Sequence, residues 1–369
     1  MQRREFLHRS GSALIGVSLL PANASGHPVG YSNTLSLLIA DLESKIPALM
    51  AETKVPGLSI VLIRDATIAW SKGFGLKDAS SNARVDTDTM FEAASMSKPV
   101  FAYAVMKLCE RGVLNLDTPL VKYTGERLIK DDPRSDRITA RQILSHTSGL
   151  QDWRSDTDPL SIHFEPGQQY LYSGEGYAYL QSVVALLTGK PFETWMVESI
   201  LTPFHMYSSS YVWNALAERQ MARGHDEQGK PMPYRRSTPA DVARYGSSGA
   251  LLTTPSNYAR FLIEVIHPAF VDALHLNSTS LAEMLRPQVK IREGSDYSVW
   301  WGLGWRVVRT SNGGQVIGHG GENPGFQCIS EASLVSRSGF VIMTNGQNGA
   351  KLIERLAPPL AQKLYELAS

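Results

Sequence analysis

The stretch Ser95-Met-Ser-Lys98 stands where an extended segment, Met90-Phe-Glu-Ala-Ala94, gives way to a run predicted to be helical up to Arg111. Three residues make about one helical turn, so the Ser95 hydroxyl and the Lys98 amine are expected on one face. A serine becomes a nucleophile when a base takes its proton, and a lysine acts as that base when burial lowers its pKa. The motif is short, and a helix-capping serine beside a solvated lysine would give the same pattern.

Two later motifs bear on this choice. Tyr170-Leu-Tyr-Ser-Gly-Glu-Gly-Tyr177 falls in a helical region, and Tyr172 is either a phenol that exchanges a proton with the serine and lysine or a packed core tyrosine. Gly318-His-Gly-Gly321 falls on a predicted strand whose glycines let a substrate backbone approach, or it forms a glycine-rich turn. An amide at such a strand edge can complete an oxyanion hole.

The rest of the chain predicts strands near both ends and helices between them. Helices are predicted over 33–53 and 349–367, a strand hairpin over 61–63 and 67–70, and four further strands over 302–308, 315–317, 325–335 and 339–344. From 138 to about 260 the signals are helices broken by Pro and Gly. The simplest packing is an α+β fold: an antiparallel sheet from both chain ends, covered by terminal helices, with a helical insertion. We expect a sheet subdomain of residues 30–92 and 245–369 and a helical subdomain of residues 93–244.

The composition is that of an ordinary globular protein and argues against several function classes. The 369 residues carry 36 Lys and Arg against 35 Asp and Glu, a net charge of +1, so nothing favours nucleic-acid binding. Two cysteines, Cys109 and Cys328, are too few for a disulfide framework or a four-thiolate zinc site, which leaves one bridge or two free thiols. The histidines lack metal-ligand spacing, so no metal or other cofactor is expected.

Residues 1–24 are predicted to be an export signal. Arg3-Arg-Glu-Phe-Leu7 precedes an uncharged apolar run over 11–20, and Ala22-Asn-Ala24 fits a signal-peptidase site. The apolar run is too short to span a bilayer, and the paired arginines resemble a twin-arginine signal. We therefore expect a periplasmic or secreted protein whose mature form has no stable membrane anchor.

Three motifs in this order resemble the serine β-lactamase and penicillin-binding superfamily: Ser95-x-x-Lys98, Tyr172-Ser-Gly174 and His319-Gly-Gly321. The resemblance runs from about residue 35 to the C-terminus and is closest to class C β-lactamases, D-alanyl-D-alanine carboxypeptidases and family VIII carboxylesterases. The segments 144–150, 189–191 and 247–252 agree with it. It implies a β-lactamase/transpeptidase-like fold in which Ser95 forms an acyl-enzyme while Lys98 and Tyr172 share the proton as a coupled pair.

The resemblance also implies roles in oxyanion and substrate binding. The N–H groups of Ser95 and Glu322 would hold the oxyanion, and substrate contacts would come from Gly174, Trp301, His319, Gly320 and Gly321. Trp300, Trp301 and Trp305 would line an acyl pocket or pack in the core.

Two positions depart from the family pattern. Gly174 replaces an asparagine that binds the substrate's side-chain amide, and His319 replaces a lysine and is mostly neutral at pH 7. Because both changes remove polar contacts to a β-lactam, the sequence favours a plainer acyl substrate.

The sequence therefore predicts a serine hydrolase that acts through an acyl-enzyme on carboxylic esters, amides or D-amino-acid peptides. One alternative is a β-lactamase or D-alanyl-D-alanine carboxypeptidase, and another is a penicillin- or muropeptide-binding sensor that is acylated without turnover. The expected partner is a small-molecule acyl substrate, and the oligomeric state is left open.

Overall fold

A computed structural model describes residues 31–155, 157–269 and 274–366. The predicted export signal lies outside the described residues. The strands are β1 (Gly57–Arg64), β2 (Thr67–Asp78), β3 (Ala83–Arg84), β4 (Phe91–Glu92), β5 (Ser209–Ser210), β6 (Leu252–Thr253), β7 (Val289–Glu293), β8 (Tyr297–Trp301), β9 (Arg306–Thr310), β10 (Gln315–Asn323), β11 (Phe326–Ser333) and β12 (Ser338–Thr344).

The helices occupy both ends and the middle of the described chain. They are α1 (Tyr31–Thr53), α2 (Ser97–Glu110), α3 (Val121–Thr124), α4 (Ala140–Leu144), α5 (Gly174–Thr188), α6 (Phe192–Met196), α7 (Ala215–Gln220), α8 (Pro239–Gly249), α9 (Pro255–Ile266), α10 (Ser278–Leu285) and α11 (Gly349–Glu366). Two 3-10 turns (Ala94–Met96 and Pro133–Arg137) and a π-helical turn (Val197–Leu201) complete the set.

One large antiparallel sheet joins the two ends of the chain. Its nine strands run in the order β3-β2-β1-β12-β11-β10-β9-β8-β7, and β1 lies directly beside β12, with Leu58 opposite Thr344 and Ile63 opposite Gly339. A second sheet has the order β4-β6-β5. The sheet built from both chain ends confirms the α+β fold that the sequence predicts.

Alternating side chains of the central strands face two different cores. Ile60 and Ile342 pack with the apolar faces of α1 and α11, whereas Val61 and Val341 face the larger core, which contains α2. This alternation makes the sheet the middle layer of the molecule. Helix α2 is buried on almost every side, as expected of a helix at the centre of a large core.

The strand prediction is wrong in part near the C-terminal end. The predicted strand 302–308 is instead the end of a turn followed by β9, and β7 and β8 were not predicted. Gly304 has a left-handed φ of +86°, and a Cβ there would lie 2.6 Å from Ala102 Cβ, so the chain turns against α2 at this point.

Other predicted elements are confirmed with different bounds. The N-terminal hairpin turns at Asp65 and Ala66, and its strands are longer than predicted. The middle of the chain contains the two-residue strands β5 and β6, which are too short to give a periodic pattern. The subdomain boundaries stay a prediction.

Both cysteines are free thiols, which excludes a bridge between Cys109 and Cys328. Within the described ranges, no helix combines the length and apolar character that a membrane span requires.

Candidate active site

Ser95 lies in the 3-10 turn that connects β4 to α2. The preceding residue, Ala94, has a left-handed φ of +56°, a conformation that costs an L-residue about 1–2 kcal/mol. Ser97 stabilises this turn, because its hydroxyl donates to the Ala94 carbonyl at 2.6 Å and accepts from the Leu251 N–H at 3.1 Å. A strained turn at a buried helix start is typical of a functional site.

Lys98 is buried and points its amine at the serine. Its Nζ lies 3.2 Å from Ser95 Oγ and donates to the Ser248 carbonyl at 2.7 Å. Burial lowers the pKa of Lys98 to about 7, and the Asp152 carboxylate opposes part of that shift. The solvated-lysine interpretation is therefore wrong, and a neutral amine is accessible near neutral pH.

Tyr172 completes the cluster from the other side. Lys98 Nζ lies 4.8 Å from the centre of the Tyr172 ring, and the Ser95 side chain is near enough to the phenol to affect its pKa. Burial raises the pKa of Tyr172 well above its usual value, although the Ser95 side chain lowers it. The resting phenol therefore keeps its proton, and the structure brings Ser95, Lys98 and Tyr172 together.

The His-Gly-Gly segment lies on strand β10, next to the nucleophile. Strand β9 pairs with β10 only as far as Gly318, and beyond it β10 contacts the 3-10 turn of Ser95. A Cβ at Gly321 would lie 2.2 Å from Ala93 O and 3.3 Å from Ser95 N. Gly321 therefore allows the strand to touch the protein's own backbone at the nucleophile. The exposed Gly320 has no such constraint, since a Cβ there would meet only Cys328 O, at 3.7 Å.

His319 and Trp301 lie beside Tyr172. The ring centres of His319 and Trp301 are 5.3 Å apart, and each lies about 6 Å from that of Tyr172. His319 Nδ1 lies 2.6 Å from the Gly320 carbonyl, so the proton of the neutral ring is on Nδ1. Burial lowers the pKa of His319 to about 3, and the ring is neutral at pH 7.

Of the three tryptophans in or near β8, one lies at the candidate site and one lies in the core. Trp301 contacts the site, whereas Trp305 is fully buried and stacks on Phe261. Trp300 is partly buried, and its Nε1 donates to Ser298 Oγ. The core alternative is thus correct for Trp305.

Gly174 begins helix α5, and a tryptophan covers it. A Cβ at Gly174 would lie 2.3 Å from the Trp153 indole, which packs edge-on against Tyr245 with ring centres 5.4 Å apart. The Gly174 N–H donates to Asp152 Oδ1 at 2.8 Å. The indole thus occupies the space that an asparagine side chain at this position would need.

Sequence reasoning missed three residues that the fold adds to this site: His146, Asp152 and Trp153. They lie in or just after the segment Leu144-Ser-His-Thr-Ser-Gly-Leu150, which carries no chemical signature of its own. His146 stacks on Tyr172 with ring centres 4.2 Å apart. The only hint of a role in the sequence is that this loop is rich in polar residues. Because these residues are far from Tyr172 in sequence, nothing predicts that they contact it.

Sequence comparisons match most of this chain to one family and its members. The family model described as Beta-lactamase matches residues 42–363. Protein flp of Staphylococcus aureus strain MRSA252 is 24% identical over 323 residues, which are 82% of this chain but only 62% of that relative. Penicillin-binding protein 4 of Amycolatopsis lactamdurans is 27% identical over 334 residues, covering 83% of this chain and 85% of the relative.

Solved structures share the fold. The octameric penicillin-binding protein homologue from Pyrococcus abyssi superposes with a TM-score of 0.76 at 23% identity, over 89% of this chain and 78% of that one. The D-alanine carboxypeptidase AmpC from Burkholderia cenocepacia superposes with a TM-score of 0.72 at 19% identity, over 88% and 99% of the two chains.

Proposed function

Because this chain belongs to the Beta-lactamase family of serine acyl hydrolases, we propose that it forms an acyl-enzyme at Ser95 and hydrolyses carboxylic esters, amides or D-amino-acid peptides. One observation carries the proposal: the buried Lys98 amine lies 3.2 Å from the Ser95 hydroxyl and 4.8 Å from the centre of the Tyr172 ring. A serine between a neutral amine and a phenol has both a base and a proton donor within reach.

In the proposed reaction, the Lys98 amine takes the proton of Ser95 as Oγ attacks the substrate carbonyl. The proton then passes, through Tyr172, to the leaving alkoxide or amine as its bond to the carbonyl carbon breaks. Water next attacks the acyl-enzyme, its proton returns through the same pair, and a carboxylic acid leaves with Ser95 restored.

We assign the oxyanion hole to the N–H groups of Ser95 and Glu322. The edge of β10 that no longer pairs with β9 beyond Gly318 supports this assignment, since Gly321 brings that strand close to Ser95 N. Two amides aimed at one oxygen stabilise the negative charge that develops in the transition state, and removing one such donor costs about 10²–10³ in rate in enzymes of this type.

The neutral surroundings favour an ester or a simple amide over a β-lactam. His319 and His146 are uncharged at pH 7, so neither imidazole offers a fixed positive charge to a substrate carboxylate. Trp153 fills the space beside Gly174, where a side-chain amide would otherwise bind the substrate. We therefore assign His319, Gly320 and Trp301 to contacts with an uncharged acyl group.

A β-lactamase or D-alanyl-D-alanine carboxypeptidase is the second candidate. It is favoured by the match to a relative named penicillin-binding protein 4 over 85% of that relative's length. A sensor that is acylated but does not turn over is the remaining alternative from the sequence, and Gly174 motivates it. We further propose that the protein acts in the periplasm or outside the cell, on the evidence of residues 1–24.

A substrate panel with a Ser95→Ala control tests the proposal. We expect p-nitrophenyl acetate and butyrate to be hydrolysed faster than nitrocefin or a D-Ala-D-Ala peptide, and Ser95→Ala to lose at least about 10³-fold in kcat. Equal hydrolysis by Ser95→Ala would refute the mechanism. Faster nitrocefin or peptide turnover would establish the second candidate, and a stable adduct on Ser95 by intact-protein mass spectrometry would establish the sensor.

A further inference from the structure

We propose that His146 is a positioning residue that holds Tyr172 in the orientation needed for proton exchange with Ser95. The inference rests on the proposed function, and it adds a residue that the three sequence motifs do not contain. His146 is fully buried in the loop between α4 and α5, and its backbone has a left-handed φ of +56°.

His146 bonds the chain on both sides of Tyr172. Its carbonyl accepts the Leu171 N–H at 2.8 Å, and its ring nitrogen Nδ1 accepts the Ser173 N–H at 3.0 Å. Ser173 is also the N-cap of α5, since its hydroxyl accepts the Gly176 N–H at 2.9 Å. The backbone that carries the phenol is therefore held before and after Tyr172, and a single residue provides both contacts.

The imidazole also constrains the phenol ring itself. Its centre lies 4.2 Å from that of Tyr172, with 32° between the planes, and it is bounded by Tyr177 at 5.2 Å and Trp301 at 5.0 Å. A rotation of the phenol away from Ser95 would have to displace this packed ring. Close packing of this kind restricts side chains to one rotamer, which is what a proton relay requires.

The protonation state of His146 fits this role. Accepting from Ser173 requires a lone pair on Nδ1, so the neutral ring carries its proton on Nε2. Burial, together with the nearby Lys98 and His319, lowers the pKa of His146 well below its usual value. The titratable groups around this imidazole are Lys98, His319, Tyr170, Tyr172 and Tyr177, and the Asp152 carboxylate acts on Lys98, Tyr170 and Tyr172. The neutral imidazole adds no charge among them.

The other ring nitrogen indicates that the histidine is not there for stability alone. Its Nε2 is buried and has no hydrogen-bond partner among the described residues. A buried donor without a partner costs about 1–3 kcal/mol, a cost that a phenylalanine at this position would avoid. The Nδ1 acceptor for Ser173 is the feature that an apolar ring could not replace.

Three substitutions separate the contributions of the acceptor and the ring. His146→Asn keeps an acceptor close to the Nδ1 position and tolerates the left-handed backbone, His146→Phe keeps a ring without the acceptor, and His146→Ala removes both. On p-nitrophenyl acetate we expect kcat to fall about 10²-fold in the Phe and Ala variants, and about 10-fold or less in the Asn variant, with KM nearly unchanged. The apparent pKa of the acid limb should rise in the Phe and Ala variants, because a displaced Tyr172 ring exposes the Lys98 amine that it covers and weakens the effect of burial.

His205 provides a matched control for these substitutions. It is a second histidine with a left-handed φ, +54°, but it is exposed and bonds Tyr207 away from the site. His205→Asn and His205→Ala should leave kcat and the pH profile as in the wild type. Thermal melting of every variant identifies those that do not fold. If the Ala and Phe variants fail to fold, His146→Gly replaces them, because it removes the ring and the acceptor and tolerates the left-handed φ.

The inference is overturned if folded His146→Phe or His146→Ala retains wild-type kcat and pH profile, or if His146→Asn loses as much activity as His146→Ala. The Ser95→Ala control separates this failure from a failure of the proposed function. If Ser95→Ala is inactive while the His146 variants behave as the wild type, only the positioning role is wrong. If Ser95→Ala is active, the function itself is wrong.

Discussion

At the scale of the residue, burial and the nearby Asp152 carboxylate set the pH at which the Lys98 amine loses its proton and can act as a base. Its pKa is lowered to about 7 by burial, and the Asp152 carboxylate raises it against that trend. Since the proposed base is the neutral amine, kcat/KM should rise with pH as Lys98 loses its proton and reach a plateau above about pH 8.

Removing the charge of Asp152 should move this rise to lower pH. Asp152→Asn keeps an oxygen that accepts the Gly174 N–H, but without the carboxylate the ammonium form of Lys98 is less stable and its pKa falls further. The measurement is the pH dependence of kcat/KM for an ester from about pH 5 to pH 9. Asp65→Asn, in the exposed hairpin turn, is the matched control, and identical profiles for all three proteins would contradict the electrostatic argument.

The contact between Gly174 and Trp153 gives a second prediction at this scale. Gly174→Asn should destabilise the fold by about 1–3 kcal/mol, because its Cβ would lie 2.3 Å from the indole. Adding Trp153→Ala removes the clash, so the double variant should be more stable than the Gly174→Asn single variant. Urea unfolding of the four proteins in the double-mutant cycle measures the coupling.

The same double variant tests the substrate argument. With an amide in the space vacated by the indole, acylation of Ser95 by nitrocefin should become faster than in the wild type. Additive stabilities for the two positions, or nitrocefin rates that do not change, would show that Trp153 does not exclude the asparagine.

At the scale of the element, the approach of β10 to the nucleophile turn depends on one glycine. Gly321→Ala would place a methyl group 2.2 Å from Ala93 O, so strand and turn must separate, and we expect kcat to fall at least about 10²-fold. Val335→Ala, at an exposed position just after β11, should leave activity near the wild-type level. Ester hydrolysis and thermal melting of both variants provide the measurement, and similar activities would contradict a close strand-to-turn contact.

Local sequence patterns predict helices and strands well where the apolar residues follow a single helical or strand periodicity. Helices α1, α2 and α11 lie within a few residues of their predicted bounds, since each repeats apolar residues along one face or is buried throughout. Strands β7 and β8 were missed because half-exposed strands mix charged and aromatic residues, and Gly304 turns the chain where a strand was expected to continue. The two-residue strands form only because they pair with strands that are distant in sequence, so a local sequence pattern does not predict them.

At the scale of the whole molecule, the central sheet separates two hydrophobic cores, and only one of them lies beside the nucleophile. The core between the sheet and helices α1 and α11 contains Ile342, whereas Ala93 and Met96, close to Ser95, belong to the larger core on the opposite face. Ile342→Ala should lower the free energy of unfolding by about 2–5 kcal/mol, through lost burial and the cavity that remains.

The kcat of the folded Ile342→Ala protein should stay unchanged, because the cavity lies on the face of the sheet away from the nucleophile. Guanidinium unfolding and ester kinetics at 25 °C measure the two quantities. Val335→Ala, at a position that is 73% exposed, should change neither. A fall in kcat as large as that for a residue in the site would mean that the two cores are mechanically coupled.

The amino-acid sequence by itself determined the α+β class, the sheet drawn from both chain ends, and the three motifs that carry Ser95, Lys98 and Tyr172, because periodicity and motif spacing are local properties. The tertiary structure decided what surrounds them. It buried the Lys98 amine, brought His146 onto Tyr172 and laid Trp153 over Gly174. The pKa of Lys98 and the space beside Gly174 depend on residues that are distant in sequence. Only the packing of the folded chain brings those residues into contact.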